Sequence, residues 1–262
     1  VSIIHQPDVR RMLMSMRAQI EAARALAYVG AAAFDLAHHH PDEKVRGEQQ
    51  AFYEFLVPVI KGWSTEMSID VASTGLQIHG GMGFIEETGA AQYYRDARIL
   101  TIYEGTTAIQ ANDLVGRKTV RDGGVVARGI IAAVRGTEAE LAKAAAPDLQ
   151  AIGAHLAAAS TALEEVVAYV VANIQSDIKG VFAGSVPYLK LAGIVLCGWQ
   201  MGRAALIAQA KLDAGSGDAK FYQAKIATAR FFADYFLSQA GAYRSAIVDG
   251  SAGVLALDEA QF

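Results

Sequence analysis

The stretch VRRMLMSMRAQIEAARALAYVGAAAF, residues Val9–Phe34 of a 262-residue chain, decides how the molecule is built. Its apolar positions Val9, Leu13, Met16, Ile20, Ala23, Ala27, Gly30 or Ala31, and Phe34 recur in alternating steps of four and three. That is the period of one face of an α-helix, sustained for more than three heptads, and it reads as a long bundle helix. The helix is expected to stop at HHHPDE, where Pro41 cannot continue it and His38, His39 and His40 sit favourably against the negative end of its dipole. Helical neighbours point about 100° apart, so the three histidines read as a helix terminus rather than a metal site.

Leu56, Ile60, Trp63, Met67, Val71, Thr74 and Ile78 form the apolar face of a second helix that runs into the glycine cluster HGGMGF. The segment GFIEETGAAQYYR, Gly83–Arg95, reads as a loop or broken helix, and a third helix is expected from about Tyr103 to Val120. Gly123 and Gly124 then mark a boundary, dividing the chain into 1–122 and 123–262. Beyond it three further long helices are read. Their faces carry Ile152, Leu156, Ala159, Leu163, Val166, Val170 and Ile174; Tyr188, Leu191, Val195, Trp199, Gly202 and Leu206; and Tyr222, Ile226, Ala229, Ala233, Phe236 and Ala240. No alternating run argues for a strand, so the fold class is all-α, two helical bundles in tandem.

Composition narrows the function. A formal charge of −4 without a basic cluster speaks against nucleic acid. The apolar run LAGIVLCGWQMG, Leu191–Gly202, is shorter than the roughly 20 residues a bilayer requires and reads as a core helix, so no membrane span is expected. Cys197 is the single cysteine, which excludes an internal disulfide and fits a reducing, cytoplasmic compartment. The chain starts at Val1 with no signal-peptide pattern, and further sequence is expected upstream.

Two stretches could carry chemistry. In GLQIHGGMGF, Gly75–Phe84, adjacent glycines either cap a helix or let backbone amides approach a ligand; the pattern lacks dinucleotide-fingerprint spacing and follows a helix, not a strand. In YYRDARILTIYEGTTAIQ, Tyr93–Gln110, Arg95, Asp96 and Arg98 read as a local ion-pair set. Glu104 reads either as a carboxylate in the first turn of a helix, worth about 0.3–1 kcal/mol against the dipole, or as a base. Gly105 beside it is costly inside a helix and calls for a reason such as close approach of a ligand.

LQIHGGMGF, RDARI and IYEGTTAIQ, in that order and spacing, resemble the C-terminal helical domain of FAD-dependent acyl-CoA dehydrogenases, with the bundle pattern extending the likeness from about Val9 to Lys118. The Ala-rich remainder looks like the extra helical domain of a longer, mainly bacterial branch. The resemblance implies that Glu104 removes the pro-R α-proton of an acyl-CoA while the β-hydrogen leaves as hydride to the flavin, giving a trans-2-enoyl-CoA. It implies that the Glu104 N–H hydrogen-bonds the thioester oxygen, a donor worth about 3–4 kcal/mol of barrier, and that Gly105 makes room for substrate. By the same likeness Gln77, Ile78, Gly80 and Gly81 face the FAD of a neighbouring subunit, whereas Tyr103 and Thr106 lie near the flavin of their own. A homo-oligomer, dimer or tetramer, and electron-transfer flavoprotein as acceptor follow as further implications. Many relatives carry glutamine where Ala108 stands, so that cofactor contact is missing. The family's N-terminal helical and β-barrel domains do not appear in the chain, which alone is expected neither to retain FAD tightly nor to oxidise acyl-CoA. Two other readings share these residues: the same scaffold serving alkylation response or another flavin oxidation, and a bundle serving only oligomerisation.

Overall fold

Pro7 at the first turn and Asp8 beside it open α1 (Pro7–His39), which the computed structural model, describing all 262 residues, carries as one uninterrupted helix. The Asp42 carboxylate accepts the Lys44 N–H at 2.9 Å and starts α2 (Glu43–His79), so the two longest helices form an antiparallel hairpin.

The buried face of α1 is only partly the expected one: Ala23 and Gly30 are buried as read, but most of the large residues of that stripe are not. Met12, Ala18, Ala22, Leu26, Gly30 and Ala33 are buried, whereas Ile20 and Phe34 are exposed. The stripe is displaced by one residue, a rotation of about 100°. A Cβ on Gly30 would fall 2.7 Å from Ile60 Cδ1, so α2 approaches α1 closely at this position. Met16 and Ile20 instead line an open apolar cleft of ≈ 530 Å³ with Met67, Val71, Leu76 and Tyr93.

After α2 come α3 (Gly81–Phe84), a 3₁₀ turn (Glu86–Thr88) and α4 (Ala90–Ile99), so the segment read as a loop or broken helix is two short helical pieces followed, after Gly89 at φ +78°, by a regular helix. α5 (Thr107–Asp113) begins later than expected because the Thr106 hydroxyl, accepting the Ile109 N–H at 3.3 Å, is its cap. Glu104 therefore lies in the loop ahead of the helix and not in its first turn. α5 continues as a π-helix over Leu114–Val120. There the buried Thr119 hydroxyl donates to the Leu114 carbonyl at 2.8 Å and lies 2.9 Å from the Tyr188 hydroxyl, so both buried hydroxyls are satisfied.

The second half contains one long helix more than expected, α6 (Val125–Lys143), then α7 (Pro147–Asn173), α8 (Ile178–Ala183), α9 (Ser185–Asp213), α10 (Ala219–Tyr235), α11 (Ala240–Val248) and α12 (Ser251–Val254). The apolar faces read for α7, α9 and α10 point inward. α7 and α9 are long and apolar enough to cross a membrane, but every residue from Leu191 to Gly202 in α9 is buried against protein. α9 touches α1, α2, α5, α6, α7, α10 and α11. Glycines allow this: a Cβ on Gly193 would lie 2.2 Å from Trp63 Cδ1 of α2, and one on Gly198 2.6 Å from Leu237 Cδ2. One apolar core, including Leu26 and Trp63 as well as Leu156 and Phe232, runs through both halves. Lys225 of α10 adds an ion pair to Glu21 of α1 at 2.8 Å.

Candidate active site

The loop between α4 and α5 is held by side chains of α2. Lys61 Nζ donates to the carbonyls of Leu100 at 2.9 Å, Tyr103 at 3.3 Å and Gly105 at 2.6 Å, matching the three hydrogens of an ammonium group. The same nitrogen lies 6.0 Å from the Tyr103 ring centroid. Five residues along α2, Glu66 accepts the Thr107 hydroxyl at 2.6 Å. The Thr107 N–H closes the loop on the Thr101 carbonyl at 3.1 Å, and Gln110 Nε2 reaches the Gly105 carbonyl at 3.4 Å.

Between these anchors Glu104 has φ +46° and Gly105 φ +86°. Left-handed backbone at a residue with a Cβ costs on the order of 1–3 kcal/mol and persists where the surroundings over-determine it. Charge-assisted hydrogen bonds of about 1.5–3 kcal/mol each, as from Lys61, are enough to hold it. The result is an exposed carboxylate with no cation within 4 Å, on a residue whose N–H makes no hydrogen bond within the chain. Ile102 and Tyr103, about half exposed, flank it with apolar surface. A carboxylate and a free N–H on one residue, next to apolar surface, can take a proton from a carbon acid and donate to the oxygen on which charge develops.

The glycine-rich stretch is elsewhere. Gln77 and Ile78 are in the last turn of α2 and Gly80, at φ +61°, ends it; a Cβ on Gly80 or Gly81 would meet nothing within 4 Å. This tip fits the edge of a large flat cofactor such as FAD, because no side chain obstructs its exposed backbone. Lys61 and His79 are 18 residues apart on one helix, about 27 Å along its axis. Gln77, Ile78, Gly80 and Gly81 are thus not brought together with Tyr103, Glu104, Gly105 and Thr106; one chain presents two separate surfaces.

The anticipated ion-pair set is different as well. Arg95 pairs with Glu86 at 3.3 Å, Arg98 hydrogen-bonds Thr101, and Asp96 has no cation within 4 Å. His79, in the last turn of α2, is exposed. No three His, Cys, Asp or Glu residues are grouped to hold a metal ion. Lys61 and Glu66 escaped the sequence reading. The available signal was one lysine in the otherwise uncharged run FLVPVIKGW, Phe55–Trp63.

Comparison with known proteins agrees with this architecture. Residues 1–118 match the family model described as acyl-CoA dehydrogenase, C-terminal domain, and residues 130–258 the one described as acetyl-CoA dehydrogenase C-terminal like. The chain is 54% identical to 3-methylmercaptopropionyl-CoA dehydrogenase of Ruegeria pomeroyi over 95% of its own length and 42% of that protein's. It is 38% identical to the broad-specificity linear acyl-CoA dehydrogenase FadE5 of Mycobacterium tuberculosis over 100% of its length and 44% of the relative's. The chain therefore spans less than half the length of these curated relatives. Among solved structures, an acyl-CoA dehydrogenase complexed with FAD from Bacillus anthracis superposes with a TM-score of 0.72 at 17% identity, covering 97% of this chain and 45% of that one. ACDH-11 of Caenorhabditis elegans, in complex with C11-CoA, gives 0.66 at 19%, covering 94% and 40%. The chain belongs to the acyl-CoA dehydrogenase family and carries its C-terminal helical domains.

Proposed function

We propose that this chain is the C-terminal part of a FAD-dependent acyl-CoA dehydrogenase in which Glu104 is the base that removes the α-proton of the acyl thioester. The observation that carries the reading is the Glu104 backbone, held at φ +46° by side chains of another helix with its carboxylate unpaired and its N–H free. As the α-proton leaves, negative charge moves to the thioester oxygen, and the Glu104 N–H is placed to donate a hydrogen bond to that oxygen. Substrate packed over Ile102 and Tyr103 would strip water from the carboxylate and raise its basicity. Gly105 takes φ +86°, and a Cβ there would collide with the Gln110 side chain, so glycine lets the loop close behind Glu104. Bound FAD supplies the hydride acceptor for the β-hydrogen. In this chain Tyr103 and Thr106 face that flavin from the loop, and Gln77, Ile78, Gly80 and Gly81 meet the cofactor of a neighbouring subunit. The separation of about 27 Å along α2 supports two cofactors shared across a homo-oligomer. Electron-transfer flavoprotein is the proposed acceptor, and the cytoplasm the proposed location. By the same reading the 262-residue chain alone neither retains FAD through dialysis nor oxidises acyl-CoA.

The test is Glu104→Gln in the full-length protein. FAD content should match the parent while flavin reduction by acyl-CoA slows by orders of magnitude; reduction at the parent rate would remove Glu104 from the base role.

A further inference from the structure

We propose that Lys61 is a positioning residue for this reaction: by gathering the carbonyls of Leu100, Tyr103 and Gly105 on one ammonium, it aims the N–H and the carboxylate of Glu104 away from α2. The proposal rests on the reading of Glu104 as base. Every peptide bond in the chain is trans, so the C=O and N–H of the unit joining Tyr103 to Glu104 point in opposite directions. With that carbonyl 3.3 Å from Lys61 Nζ, the Glu104 N–H must face outward, where no group of the chain meets it. The positive φ values at Glu104 and Gly105 bring the Gly105 carbonyl back to the same ammonium at 2.6 Å, so residue 104 is pinned on both sides. A cation on the carbonyl also polarises the peptide and strengthens its N–H as a donor.

Lys61 has no other evident employment. No carboxylate lies within 4 Å of it, and it occupies an uncharged run in which an apolar residue would serve packing as well. Its neighbours fix the helix at that point: a Cβ on Gly62 would lie 2.5 Å from Leu189 Cδ2 of α9, and Trp63 lies against Gly193. The ammonium is thus carried on a stretch of α2 that is locked against the core, while Ile102, Tyr103 and Glu104 of the segment it grips are exposed.

The experiment compares Lys61→Met, Lys61→Arg and Glu104→Gln in the full-length flavoprotein. Anaerobic stopped-flow reduction uses butyryl-CoA or 3-methylmercaptopropionyl-CoA, whichever bleaches the parent's flavin. Amide hydrogen exchange is followed in parallel over residues 100–107. Lys61→Met should lower the limiting reduction rate about ten- to hundredfold, the scale of a displacement of about 1 Å. The acyl-CoA concentration for half-maximal rate should move by less than about threefold, because ground-state binding is not what the residue serves. Exchange should accelerate in 100–107 and nowhere else, and Lys61→Arg should recover part of the rate. A limiting rate within about twofold of the parent for Lys61→Met, while Glu104→Gln abolishes reduction, overturns the positioning role. So does a rate loss accompanied by faster exchange throughout α2, which marks general destabilisation. If Glu104→Gln reduces at the parent rate, the base reading fails on its own. The positioning role then survives only if Lys61→Met is slow and exchanges faster in 100–107, leaving the N–H as the group Lys61 aims.

Discussion

Gly193→Ala and Gly136→Ala are the same substitution in two helices and should move stability in opposite directions. In α9, the new methyl would sit 2.2 Å from Trp63 Cδ1 and 2.3 Å from Cγ, against a normal carbon separation of about 3.5–4.0 Å. Trp63 is 6% exposed, so α2 and α9 must part by roughly 1 Å or the indole must leave its rotamer. Overpacking of this kind costs about 1–3 kcal/mol, and alanine returns about 1 kcal/mol of helix propensity. With the overlap this severe, a net loss of about 1–2 kcal/mol follows, or roughly 2–8 °C in melting temperature at this chain length. In α6, a Cβ on the exposed Gly136 meets nothing within 4 Å, so only the backbone term remains and the helix gains about 0.5–1 kcal/mol. Thermal and urea unfolding of the 262-residue chain, followed by far-UV circular dichroism, reads both. If both variants melt above the parent, α2 and α9 are not in limiting contact at Gly193, and the account of how α9 is buried is wrong.

Two further outcomes follow from charge and burial. Burial alone would push the Glu21 carboxyl up, but Lys225 at 2.8 Å and Arg17 at 2.9 Å hold it below the usual carboxylate range. A depressed folded value means the unfolded chain binds the proton more readily, so this contribution is complete above the unfolded value and is lost as pH falls below about 4.5. The difference in urea midpoint between parent and Glu21→Gln should therefore shrink from pH 7 to pH 3; a constant difference would show that the α1–α10 ion pair contributes nothing. Burial likewise pushes the Cys197 thiol up, so iodoacetamide at pH 8 should label it only as fast as the chain unfolds, and labelling at the rate of an exposed thiol would place α9 outside the core.

The long helices were legible because period and length agree: the faces read for α7, α9 and α10 are the buried ones. The face of α1 was not, because alanines flank its large residues on both sides and leave two apolar stripes. The choice between them is made by packing across the hairpin, which periodicity does not contain. A similar limit applies to α4: Gly83 and Gly89 announce breaks, but not that a regular helix restarts at Ala90. At the candidate site, motif order pointed to Glu104 and Gly105. The helix start was misplaced by four residues because Thr106 is the cap, and neither the π-helix nor the grip of Lys61 leaves a local trace. Residues that act through main-chain carbonyls 39–44 positions away carry no periodic signature.

α2 carries the loop anchors Lys61 and Glu66 near its middle and the Gln77–Gly81 tip at its end, with no break between them. Inserting or deleting a single residue between Glu66 and Gln77 would slide the tip by about 1.5 Å and swing it by about 100° around the helix axis while leaving the loop where it is. Point changes on the outer surface of this segment alter neither quantity. Genes encoding this chain should thus accumulate substitutions on the outer surface of 67–76 while resisting any change in its length, as a measuring rod tolerates repainting but not cutting.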